Sequence, residues 1–221
     1  MQADRIRKAF GRILKPDIAV NVRPIDTMAH SPFPVERAAM AQAVPHRRAE
    51  FFSGRLAARA TLETLGIPAQ AIAQGPDRAP VWPEGITGSI SHSEGLVAAI
   101  TGHQPPYKSL GLDIENDAPL DAELWPEILT DQDHGWLQNS PEHHQGSLAK
   151  QLFSIKECTY KAQYPLSGTM LEFSAFSVEL SLETGLFDAV FQHPAPPFQT
   201  GDRLQGVSVV EAGLILSVIW L

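Results

Sequence analysis

The sequence predicts an α+β protein of two similar lobes, residues 1–108 and 109–221, from the like mix of elements in its two halves. Each half holds one long segment of helical period alongside short apolar runs separated by turn formers, the pattern of a helix with antiparallel strands. The charge divides at the same boundary, an asymmetry that bears on partners rather than on fold. Residues 1–108 hold 13 Lys/Arg and 9 Asp/Glu, a balance of +4, whereas residues 109–221 hold 4 and 16, a balance of −12. The sum is the net −8 of the whole chain.

Each element follows from local signals. The alanine-rich stretch from Val35 to Val44 predicts a short helix stopped by Pro45. A longer helix runs from about His46 to Leu65, with Phe51, Ala58, Leu62 and Leu65 at helical spacing and Gly66 and Pro68 as stop signals. Arg48 and Arg55 share nearly one azimuth on it, and Arg47 lies about 80° away at roughly 100° per residue. The turn-rich segment 74–80 reads as a loop carrying Arg78. Segments 88–92 and 96–100 read as a hairpin closed by Ser93-Glu94-Gly95, and 104–108 as the hinge between halves.

The second half opens on Gly111-Leu112-Asp113-Ile114-Glu115, a strand in which apolar residues alternate with acids. Alternation places Asp113 and Glu115 on one face and Leu112 and Ile114 on the other. A polar span follows from Asn116 to Gln145, with one short helix near 122–129. A helix from about Leu148 to Gln163 then stops before Pro165, and on it Glu157 and Lys161 sit one turn apart. Strands at 175–182, 186–192, 207–211 and 214–221 complete the chain, with turns at 183–185 and 211–213.

Composition narrows the function classes. No apolar run reaches the length of a membrane span. The basic N-terminal residues Arg5, Arg7, Lys8 and Arg12 lack the apolar stretch of a secretory signal. The single cysteine, Cys158, excludes an internal disulfide and a cysteine-based zinc site, and it fits a reducing cytoplasm. No long basic tract with interleaved aromatics is present, which argues against nucleic-acid binding.

Taken singly, the candidate residues have ordinary explanations. An Asp-x-Glu strand face is most often merely solvated, and a Glu–Lys pair four apart is the commonest helix-stabilising pair. His92 reads as a structural histidine, and Arg48, Arg55 and Arg78 as surface cations. His134, His143 and His144 lack paired zinc-ligand spacing. Ser91 lies outside any Gly-x-Ser-x-Gly elbow, and neither a phosphate loop nor a Gly-x-Gly-x-x-Gly is present. Cys158 lies about 100° round the helix from Glu157 and reads as core. Together, however, three carboxylates and two lysines make an all-oxygen site suited to Mg²⁺ and a diphosphate.

In order along the chain stand Arg47-Arg48-Ala49-Glu50-Phe51 with Gly54-Arg55, then Arg78-Ala79-Pro80-Val81-Trp82-Pro83, then Gly88-Ser89-Ile90-Ser91-His92, the acidic strand, and Phe153–Ala162. In this arrangement the chain resembles the 4′-phosphopantetheinyl transferases. It is similar to the branch of enterobactin synthase component D, within the surfactin-type group, from about Glu36 to the C-terminus. The resemblance implies two lobes related by a pseudo-twofold, with coenzyme A in the cleft between them. It implies transfer of the phosphopantetheine arm of coenzyme A to a serine of an apo acyl, peptidyl or aryl carrier protein, releasing 3′,5′-ADP. Siderophore, other secondary-metabolite and fatty-acid synthesis are the implied settings.

Carried over by position, Asp113, Glu115 and Glu157 hold Mg²⁺, for which Mn²⁺ can substitute. Glu157 also serves as the base for the carrier serine. Lys161 neutralises the leaving phosphate and Lys156 steadies the diphosphate. Arg47 or Arg48, together with Arg55 and His92, takes the 3′-phosphate, and Arg78 and Ser91 complete the nucleotide pocket. A monomer suffices for such a site. The chain departs from the branch at Gly206-Val207-Ser208, where relatives often carry Gly-Arg-Trp. The Trp/Leu/His-rich span 124–145 is the expected docking patch for the carrier. Two rival readings are a non-catalytic relative that binds coenzyme A or a carrier, and a Mg²⁺-dependent nucleotide diphosphate hydrolase. Asp113, Glu115, Glu157 and Lys161 speak against the first, and a lone glutamate in 148–163 against the second.

Overall fold

Proline and glycine set the limits of the first long helix. In the computed structural model, which describes residues 2–221, this helix begins at Pro45 and ends at Thr64, with Gly66 in the left-handed region behind it. Proline suits the first helical position because its missing N–H has no partner there anyway. The elements in chain order are α1 (Gln2–Ile13), β1 (Ala19–Pro24), α2 (Pro34–Ala39), α3 (Pro45–Thr64), β2 (Ala73–Gln74), β3 (Pro80–Val81), β4 (Ile86–Ser93) and β5 (Leu96–His103). They continue with β6 (Leu110–Asn116), α4 (Trp125–Ile128), α5 (Asp131–Leu137), α6 (Glu142–Ser167), β7 (Phe176–Leu180), β8 (Leu186–Phe191), β9 (Arg203–Glu211) and β10 (Leu214–Trp220).

The chain divides into two compact units, the first closing at Leu110 and the second spanning Gly111–Leu221. The first has a three-stranded antiparallel sheet in the order β1-β5-β4. Helix α3 packs on it, burying Ala57, Ala58 and Leu62 with Ile86, Val97 and Ala99. The second has a five-stranded sheet in the order β6-β10-β9-β8-β7. Its core joins Leu152, Ile155, Cys158 and Ala162 of α6 to Phe176, Val178, Ala189, Phe191 and Ile219 of the sheet. Apolar burial of this kind, at about 25 cal/mol per Å², is the main favourable term for each unit.

Three expectations need correction. Helix α6 is longer than its sequence pattern, beginning at Glu142 and passing through Pro165 to Ser167. Pro165 forgoes one backbone bond in the last turn, and Gly168 at φ 62° then caps the helix, its N–H donating to the Tyr164 carbonyl at 2.8 Å. The expected helix near 122–129 is a 3₁₀ turn at Ala122–Leu124 running into the single turn of α4. Helix α5 was not expected; it starts with a reciprocal capping box between Thr130 and Asp133.

Candidate active site

Helix α6 presents a polar stripe to the acidic strand. Lys150, Ser154, Glu157 and Lys161 are spaced four, three and four apart, which places them on one helix face. Opposite them, on β6, Leu112 and Ile114 are fully buried in the core, and Asp113, on the alternate face, is only 2% exposed. Ser154 Oγ donates to Asp113 Oδ2 at 2.8 Å, and Lys161 Nζ lies 2.6 Å from Asp113 Oδ1. Lys150 Nζ lies 2.6 Å from Glu115 Oε2, and Lys161 Nζ lies 4.0 Å from Glu157 Oε2. Burial pushes the Glu157 carboxyl above its ordinary range; Lys161 opposes this, and the charges of Asp113 and Glu115 reinforce it. Glu115 is also pushed up, by burial first, against the pull of Lys150. Burial alone would lower the Lys161 ammonium, yet Asp113 and Glu157 outweigh it and hold the group firmly charged.

Gly111 allows this close approach. A Cβ at that position would collide with the Cys158 carbonyl and lie 2.9 Å from the Ala162 Cβ, so strand and helix meet backbone to backbone.

Lys156 does not belong to the stripe. It is 1% exposed, and its ammonium lies 2.6 Å from Asp133 Oδ2, 2.7 Å from the Ile128 carbonyl and 3.2 Å from the Phe173 carbonyl. All three donors are met inside the core, so the expected contact with a diphosphate is withdrawn. Burial lowers its pKa, and Asp133 counters that.

In the first unit, the start of α3 and strand β4 bring Arg47 and His92 together. Arg47 Nη1 lies 3.1 Å from His92 Nε2 and donates to Glu50 Oε2 at 3.0 Å. Glu50 Oε1 accepts from His46 at 2.8 Å and lies 3.6 Å from His92 Nδ1. Burial would raise the Glu50 carboxyl, but the Arg47 hydrogen bond and the neighbouring cationic groups lower it. Arg48 turns the other way, its Nε bonding the Ala43 carbonyl at 2.8 Å.

Arg55 is 5% exposed; its Nε donates to the Ile72 carbonyl at 2.8 Å and its guanidinium lies over the Phe51 ring. Burial lowers its pKa to about 10, so it stays charged at neutral pH. Arg78 is exposed on the β2–β3 turn at φ 70°, and Ser91 is buried on β4 opposite Ala98.

Four residues that matter here went unread in the sequence: Glu50, Lys150, Ser154 and Asp133. The spacing of Lys150 and Ser154 from Glu157 is the available signal for two of them, whereas Thr130-x-x-Asp133 marks only a helix start and says nothing of the contact with Lys156. The expected docking span 124–145 also changes character, since Trp125 and Trp136 are half-buried against the core and leave Leu124 as the exposed large apolar residue there.

Among the described residues, no group of three His, Cys, Asp or Glu side chains is already disposed to hold a metal ion. The donor set nevertheless fits one. The charges of Asp113 and Glu115 add to burial in raising the Glu157 carboxyl, so a cation there would relieve the crowding of negative charge, and hard oxygen donors suit Mg²⁺. Among the described residues, no helix is long and apolar enough to cross a membrane.

Comparison with known proteins places the chain in a family. Residues 35–102 match the 4′-phosphopantetheinyl transferase N-terminal domain, and residues 109–199 match the 4′-phosphopantetheinyl transferase superfamily. The chain is 34% identical over 194 residues to 4′-phosphopantetheinyl transferase Svp of Streptomyces mobaraensis, covering 85% of this chain and 77% of that protein. It is 32% identical over 207 residues to 4′-phosphopantetheinyl transferase PptT of Mycobacterium tuberculosis, covering 86% of each. Enterobactin synthase component D of Salmonella typhi is 36% identical over 118 residues, 52% of this chain and 48% of that protein. The chain belongs to the 4′-phosphopantetheinyl transferase superfamily of enzymes, which transfer phosphopantetheine to carrier proteins.

Proposed function

We propose that this protein transfers the phosphopantetheine arm from coenzyme A to a serine of an apo carrier protein in a Mg²⁺-dependent reaction. The reading rests above all on the stripe Lys150-Ser154-Glu157-Lys161 facing Asp113 and Glu115. It carries with it the family arrangement of two similar lobes sharing one coenzyme A. Arg47 and His92 take the 3′-phosphate, with Arg55 behind them, and Arg78 and Ser91 complete the adenine end. A guanidinium fork suits phosphate because two N–H groups bond two oxygens at once.

Asp113, Glu115 and Glu157 hold the cation, which when bound neutralises charge on the diphosphate. Glu157 accepts the proton of the carrier serine as its oxygen bonds the pantetheine-side phosphorus. The bond from that phosphorus to the bridging oxygen breaks, and 3′,5′-ADP leaves with its new charge met by Lys161. General-base help of this kind is typically worth 10²–10⁴-fold. Enterobactin-type siderophore synthesis is the first setting to examine, given the component D relatives.

The test is intact-mass spectrometry of several apo carrier proteins incubated with the enzyme, coenzyme A and Mg²⁺. The expected result is a phosphopantetheine-sized gain that EDTA abolishes. Coenzyme A binding without any gain on any carrier would instead favour a binding relative.

A further inference from the structure

The Lys156–Asp133 pair is a closed hydrogen-bonding hub. Beyond the three acceptors already given for Lys156, Asp133 is 0% exposed and accepts from Val178 N at 2.9 Å through Oδ1 and from Thr130 N at 2.8 Å through Oδ2. Thr130 Oγ1 in turn accepts from Asp133 N at 3.2 Å. The hub therefore fastens α6 to the end of α4, the start of α5, the 3₁₀ turn at Phe173 and strand β7. A buried ion pair alone is weak evidence for stability. Here, however, an apolar replacement would strand two backbone carbonyls and two backbone N–H groups, so the pair has no simple hydrophobic substitute.

Its place on the helix gives it a second consequence. At about 100° per residue, Ser154 and Lys161 share an azimuth to within roughly 20° and both hold Asp113, while Lys156 projects roughly 140–160° away from them. Glu157 lies in the arc between these two anchor points. Strand β6 grips one side of α6 and the Asp133 hub grips the other, so rotation of the helix about its axis is blocked. A rotation of about 10° would move a carboxylate roughly 6 Å off the axis by about 1 Å. Displacements of that size can cost on the order of 10²-fold in rate.

We propose that Lys156 and Asp133 are a positioning pair that sets the orientation of Glu157 for proton removal, rather than a contact to the diphosphate. This rests on the transferase reading above. The experiment is single-turnover kinetics on wild type, Asp133→Asn and Lys156→Met, with the coenzyme A dissociation constant measured in parallel well below each unfolding midpoint. Thr130→Ala is included because it loosens the hub without unpairing a buried charge and so keeps a folded variant in the set.

The expected result is a rate constant lowered about 10- to 100-fold in Asp133→Asn and several-fold in Thr130→Ala, with coenzyme A affinity within about twofold of wild type. A purely structural pair would lower the midpoint and the folded fraction but leave the rate constant per folded molecule unchanged, and that outcome overturns the proposal. Wild-type protein that modifies no carrier would instead defeat the transferase reading, and the positioning role with it.

Discussion

Lys161 Nζ lies 2.6 Å from Asp113 Oδ1 but 4.0 Å from Glu157 Oε2, so the lysine's main partner is the strand carboxylate rather than its helical neighbour. In the proposed mechanism the ammonium meets phosphate oxygens while the Glu157 carboxylate serves as base. Separating the two roles by substitution is therefore feasible.

Glu157→Gln keeps the shape and one metal-binding oxygen but removes the base. The rate of phosphopantetheine transfer should fall about 10²–10⁴-fold while coenzyme A affinity stays within a few-fold. Intact-mass time courses and calorimetry check the two halves, and near-full activity would remove Glu157 from the mechanism.

Gly111→Ala should be among the most damaging single changes in the second unit, because the new methyl would drive into the Cys158 carbonyl and push α6 off β6. A loss of roughly 1–3 kcal/mol in stability is expected from the overpacking, with loss of transfer in whatever remains folded. Denaturant unfolding of the variant measures the first quantity directly.

The arginines should sort by where they point. Arg47→Ala removes the partner of His92 and Glu50 and should weaken coenzyme A binding about 10- to 100-fold, as loss of a charged hydrogen bond predicts. Arg48→Ala removes bonds to the Ala43 and Ala41 carbonyls and should leave affinity almost unchanged. Arg55→Ala should lower both affinity and stability, because it also leaves the Ile72 carbonyl without its buried donor. Equal affinity losses for Arg47 and Arg48 would contradict the assignment.

Cys158 gives a built-in reporter of folding. It is the sole cysteine, it is fully buried, and burial pushes its thiol well above the ordinary range. A thiol reagent should fail to label the native protein and should label it in step with denaturant unfolding. Rapid labelling of native protein would mean that α6 opens locally.

What the sequence disclosed depended on the range over which each signal acts. Helix α3 and strand β6 were legible because Pro45, Gly66 and the alternation of acids with Leu112 and Ile114 are local. Periodicity likewise put Glu157 and Lys161 on one face, and it could have added Lys150 and Ser154. It fixes only an azimuth, however, and says nothing of what lies opposite. The family resemblance assigns Lys156 to the diphosphate, although Asp133, far off in sequence, claims it in space. Strand β1 and helices α1 and α5 went unpredicted, although Ile6, Ala9, Phe10 and Ile13 of α1 stand at helical spacing and Thr130 and Asp133 have capping-box spacing.

The hub around Lys156 gathers groups from Ile128 to Val178, and so its closure requires α4, α5, α6 and β7 to be in place at once. A half-built second unit would contain every catalytic side chain and still lack the lock that aims them. On the positioning role proposed above, such a species should turn over about 10- to 100-fold more slowly, which makes the full rate itself a proofreading signal that the unit has been completed.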